Sequence, residues 1–161
     1  MTDNYIQLKN DNIIRFEIKD MEGTPTGEYL EFDLEDIELP IRYQEMIEKH
    51  KKNMSNIQNQ IIIIDKRQDH KGKKALSSNE EAKIKALQEF FKVETEVFNK
   101  FLGENGVQKL LCGRNLRWST LDEIAKIIND VIMPKLNITV EDMQKKIKEK
   151  YKEMKEDKTL E

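Results

Sequence analysis

Residues 57–68 read IQNQIIIIDKRQ, four consecutive isoleucines in a chain that is otherwise strongly polar. Whether they form a buried strand or part of a long helix decides the fold. β-Branched residues favour strands. Pattern points the other way. Counting from Pro40, a residue suited to a first helical turn, Tyr43, Ile47, His50, Met54, Ile57, Ile61 and Ile64 recur at intervals of 4, 3, 4, 3, 4 and 3. That is an unbroken heptad seam, and no Gly or Pro separates it from the isoleucine run. The spacing predicts helix. Ile61 and Ile64 then lie on the seam, while Ile62 and Ile63 widen it where something else packs.

A second seam follows the basic stretch KRQDHKGKKAL, residues 66–76, which Gly72 breaks. Ser78 and Glu81 have capping-box spacing. Ile84, Leu87, Phe91, Glu94, Phe98 and Phe101 continue at intervals of 3 and 4, and Gly103 closes the helix. Two long seams joined by one loop predict an antiparallel helix pair. Glu94 interrupts the second seam and is expected at an exposed edge of the pair.

Ahead of the helices, IIRFEIK (13–19) and EYLEFDL (28–34) alternate apolar with charged residues. Period-2 alternation marks strands with one buried face, and DMEGTPTG between them supplies a turn. A lone hairpin is marginal in water, so its apolar face must lie on helices or on another subunit. After Gly103, GVQKLL forms a short helix, and Thr120 with Glu123 is read as a cap opening a helix with Leu121, Ile124, Ile127, Ile128 and Val131 on one face. Pro134 ends or kinks it. Thr139 with Glu141 and Asp142 starts a last helix striped by Val140, Met143, Ile147, Tyr151 and Met154. The expected architecture is α+β and predominantly helical, in a single domain, 1–161. An antiparallel β-hairpin (12–35) leads to a long helical hairpin (39–103) with its basic loop (66–77). Shorter helices, three in all, fill 104–155, and 156–161 is a frayed tail.

Of the 161 residues, 37% are hydrophobic and another 37% charged, with a net charge of −3 and both signs closely mixed. That balance argues against a dedicated nucleic-acid binder, whose basic patch would dominate. No signal peptide and no stretch near the roughly 20 apolar residues of a membrane span is evident. A cytoplasmic protein with neither nucleic-acid nor membrane partners is expected. A single cysteine, Cys112, excludes an intramolecular disulfide. It follows Leu110 and Leu111 and is read as a small buried thiol.

Catalytic patterns are scarce. The two histidines, His50 on the first seam and His70 in the basic linker, lack zinc-site spacing, and KGKK lacks the context of a phosphate loop. Asp33, Glu35, Asp36 and Glu38 precede the first long helix, where its dipole favours them. Phe90, Phe91, Phe98 and Phe101 sit at helical spacing as core. Trp118, between Arg117 and Ser119, is either an anchor closing the helical layer or an exposed hot spot for a partner. No cofactor is expected.

Two stretches, FEIKDMEGTPTGEYLEFDLEDIELPIRYQEM (16–46) and FNKFLGENGVQKLLCGRN (98–115), resemble small tail assembly chaperones of phages, prophages and tail-like particles of Gram-positive bacteria. The likeness extends over most of the chain in the order of its features. It implies a non-enzymatic protein that coats the tape measure protein, a very long helical chain with exposed apolar stripes, and keeps it soluble during tail assembly. The expected partner is the tape measure protein or another tail protein, with self-association among the expected states. Seam positions that open would offer a groove to a partner helix, and methionine suits adaptable surfaces. The candidate partner-binding residues are Trp118, Met46, Met54, Ile61, Ile62, Ile63, Met143 and Met154. Alternatives are a structural component of the tail, its hairpin adding to a neighbour's sheet, or a small protein-binding regulatory factor.

Overall fold

The computed structural model describes residues 4–9, 12–137 and 140–159, and in its last helix the side chains of 141, 142 and 144–156. Strands β1 (Ile13–Lys19) and β2 (Pro25–Asp33) pair antiparallel, with Phe16 opposite Leu30 and Ile14 opposite Phe32. Asp20 builds the turn: its carboxylate accepts from the Glu22 and Thr24 N–H groups, both at 2.9 Å, and Gly23 takes the positive φ of 82° that the reversal needs. As the alternation predicts, Ile18, Leu30 and Phe32 are buried and their charged neighbours face water.

The isoleucine run is helical. α1 spans Leu39–Asp65 and α2 spans Ser78–Leu102, antiparallel across the basic loop. Every residue of the predicted α1 seam is buried or half-buried, Ile57 and Ile64 most fully, whereas Ile62 and Ile63 are exposed. The hairpin lies over the far end of this pair, where the Phe101 ring meets Phe32 at 5.3 Å and Tyr43 at 5.4 Å. The hairpin and the helix pair thus share one core.

Caps sit differently from the sequence reading. Ser77, not Ser78, caps α2, accepting from the Glu80 N–H at 3.2 Å. Ser78 instead closes the basic loop: its hydroxyl accepts from the His70 N–H at 3.0 Å, and its own N–H donates to the His70 carbonyl at 2.8 Å. Asp69 adds an acceptor for the Asn79 N–H. This hydrogen bond, first among its causes, holds the Asp69 carboxyl below its usual range. The basic loop is therefore tied to the helix start while the side chains of 66–76 stay exposed. The acids before α1 also act locally rather than on a helix dipole. Asp33 and Asp36 accept from the N–H groups two residues on, and the Arg42 guanidinium, hydrogen-bonded to Asp36, depresses that carboxyl.

α3 (Gly106–Leu111) follows a tight turn at Gly103 and ends at Cys112, whose φ of 50° is left-handed. Cys112 is exposed, not buried as expected. A C-terminal cap must leave the helix's apolar face, and Leu111 takes the buried position instead. α4 (Trp118–Ile127) begins two residues before the predicted cap. Thr120 lies in its first turn, and its hydroxyl accepts from the Arg117 N–H at 2.9 Å. A π-helical turn (Ile128–Ile132) carries α4 into α5 (Met133–Leu136). The Met133 N–H reaches back to the Ile128 carbonyl, five residues away. Widening the helix puts Ile124, Ile128, Ile132 and Leu136 inward at intervals of four and leaves Val131 exposed. Val131 was expected on the buried face. α6 (Val140–Thr159) follows, extending into the predicted frayed tail.

Candidate interaction surfaces and the buried polar pair

Where α1 faces α2, each seam contributes one ionisable residue, and the two meet. His50 Nδ1 lies 2.6 Å from Glu94 Oε2, and Asn53 Nδ2 donates to Glu94 Oε1 at 2.7 Å. Glu94 is 0% exposed. The expectation of an exposed edge fails because both carboxylate oxygens find donors on α1, which makes burial of the charge tolerable. The hydrogen bond to Glu94 is the main influence raising the His50 pKa above 6.5; burial opposes it, and the charges of Glu94 and Asp122 reinforce it. Phe98 closes one side, its ring 5.5 Å from the imidazole. Beside His50 is an open cleft of about 340 Å³ lined by Tyr43, Met46, Phe98, Ile128 and Asn129 among others. None of its lining residues is a serine, threonine or cysteine. The pair therefore ties the two helices together in register, and the cleft beside it is walled mostly by apolar side chains.

The eight residues singled out from sequence do not form one surface. Met46 is 4% exposed and belongs to the core. Met54 and Ile61 are half-buried and pack against that core. These residues are taken up mainly by the protein's own core, with Met46 also at the wall of the cleft of about 340 Å³. Ile62 and Ile63 do face water, side by side near the loop end of α1. Trp118 is packed and exposed at once: its ring lies 5.1 Å from those of Phe90 and Phe91, yet it stays 44% exposed. Met143 lies in α6, and its side chain is outside the described residues.

Met154 belongs to the most exposed apolar set on a helix. Along α6, Ile147, Tyr151 and Met154 are each 61–63% exposed. They recur at intervals of 4 and 3, so they share one side of the helix. An amphipathic helix keeps its stripe wet only at a cost of roughly 25 cal/mol per Å² of apolar area. The sequence reading includes this stripe, and among the described residues the core cluster contains none of its three side chains.

A second cleft, about 480 Å³, opens between the hairpin and the C-terminal helices, with Phe16, Ile18, Leu110, Ile127 and Ile132 among its walls. Near the N-terminus, Tyr5, Ile6 and Leu8 are also exposed. Among the described residues no helix is long and apolar enough to cross a membrane, and no three His, Cys, Asp or Glu side chains are grouped to hold a metal ion. Comparisons with protein-family models, with curated proteins and with solved structures found no match.

Proposed function

We propose that this protein is a non-enzymatic tail assembly chaperone, holding the tape measure protein in soluble form until tail tube subunits replace it. The observation that carries this reading is the exposed Ile147–Tyr151–Met154 stripe on α6, none of whose residues joins the core cluster of the body. A helix of this kind binds another helix by laying its stripe into the partner's. Ile62, Ile63 and the exposed edge of Trp118 add smaller apolar contacts on the body. Close mixing of charge on the remaining surface keeps many copies apart along one client.

Co-expression tests the proposal. With this chain present, the tape measure protein is recovered as a soluble complex, and without it the client aggregates. Equal solubility of the client in both cases contradicts the proposal.

The alternative role as a structural tail component draws on one observation. The sheet has only two strands among the described residues, so each strand has one edge without a strand partner, although the Lys109 ammonium donates to the Tyr29 carbonyl of β2. Mass spectrometry of purified particles separates the readings, since a chaperone leaves the finished tail and a structural subunit stays in it.

A further inference from the structure

Charges on α6 are sorted around its apolar stripe. From Gln144 to Glu156 there are six lysines and three glutamates. At 3.6 residues per turn, Lys146 and Lys150 run along one border of the Ile147–Tyr151–Met154 stripe, and Lys148 and Lys155 along the other. Glu149 and Glu156 fall on the far side together with Lys145 and Lys152, and Glu153 lies just outside the Lys146–Lys150 border. The Lys155 ammonium lies 5.2 Å over the Tyr151 ring, in agreement with that border. Lys150 also approaches Glu153 at 3.4 Å, but both are well exposed, and such pairs hold little. The side that a partner meets is therefore apolar along its middle and cationic along both margins.

Three possible occupants differ in how they suit such a face. A second copy of α6 would set lysine borders against lysine borders, and like charges across a helix pair oppose association. A bilayer surface takes up a broad apolar face carrying Trp, Phe or Leu. α6 has none of these, and its stripe is only one seam wide. An acidic helix matches both features: its apolar seam meets the stripe, and its Asp or Glu borders meet the lysines.

We propose that α6 is a docking helix for an acidic amphipathic helix of a partner protein, one whose apolar seam is bordered by carboxylates. This rests on the reading of α6 as the docking element given above, and adds the charge character of what it holds.

The test titrates the full-length chain into a labelled synthetic heptad peptide with a leucine seam and glutamate borders, followed by fluorescence anisotropy. Saturable binding that weakens with added salt is expected. Replacing the four border lysines together (K146E, K148E, K150E, K155E) weakens binding by about tenfold or more, and creates affinity for a peptide with lysine borders. Circular dichroism and thermal unfolding matching the parent chain confirm that the variant is folded. Three results overturn the proposal: no binding of the acidic peptide, equal binding by the charge-reversed variant, or dimerisation through α6 that excludes the peptide. Partition onto phosphatidylglycerol vesicles that the peptide does not displace overturns it as well. Failure here alongside a soluble tape measure complex in co-expression leaves the chaperone reading standing and removes only the acidic-helix assignment.

Discussion

His50 on α1 and Glu94 on α2, 44 residues apart in sequence, meet at 2.6 Å inside the helix pair, and Glu94 has no solvent exposure. Asn53 completes the carboxylate's partners. A slip of one turn between the helices would strip Glu94 of both donors. Removing one member of a buried pair leaves an uncompensated charge and typically costs about 3–5 kcal/mol. His50→Ala is expected near the lower end of that range, since the imidazole is partly exposed. By contrast, His50→Phe with Glu94→Leu keeps the volume without the charge and is expected to retain or exceed parental stability. Urea denaturation of both variants checks the contrast. Equal losses would show that packing, not charge compensation, dominates this contact.

The same pair sets a pH dependence. The folded-state pKa of His50 is raised above 6.5, chiefly by its hydrogen bond to Glu94. The extra stability is complete below the unfolded value and is lost as pH rises through the higher folded value. Unfolding free energy should therefore fall as pH climbs from the unfolded value of about 6.5 through the raised folded value. In Glu94→Gln the slope from this site should largely disappear. An identical slope in that variant would assign the effect to another group.

These two residues also mark where sequence reading stops. Both seams were legible because heptad spacing is a property of one helix at a time, and the helical isoleucine run and the hairpin faces follow from the same kind of local period. Glu94 was visible as a polar interruption, and His50 as another on the opposite seam. Their meeting depends on how far one helix is shifted along the other, which no single-helix pattern encodes. Two polar interruptions on facing seams are the available signal. Serine pairs pose a smaller problem of the same sort: Ser77 and Ser78 can each cap, and contacts from Asp69 and His70 decide between them. Val131 was misplaced because a π-helical turn changes the period from within. The candidate site was legible in part. Its stripe on α6 could be read directly, whereas Met54 and Ile61 stand on the α1 seam, and how far the opposing helix covers a seam residue is not written in the seam itself.

Gly106 is required for closeness rather than for backbone freedom. A Cβ built there would lie 2.5 Å from Leu102 Cβ and 3.5 Å from Leu30. Gly106→Ala pushes α3 away from the end of α2 and should cost about 1–3 kcal/mol, as overpacked sites do. A chemical denaturation midpoint equal to the parent's would show that α3 can shift without loss.

Trp118 covers Phe90 and Phe91 from the start of α4. Trp118→Ala uncovers both rings, and since the indole is already half exposed the expected loss is about 1–2 kcal/mol, below that of a fully buried aromatic. Thermal unfolding reads it. Unaltered stability combined with weaker client binding would recast Trp118 as purely a partner contact.

The account depends most on α6 as the surface that holds the client. Replacing Ile147, Tyr151 and Met154 together by Asp leaves the core intact, so stability of the body should stay within about 0.5 kcal/mol of the parent, as for exposed sites generally. The deciding measurement is the amount of tape measure protein recovered soluble on co-expression with the parent or with this triple variant. Recovery with the parent and loss with the variant is the predicted result; undiminished recovery with the folded variant contradicts it.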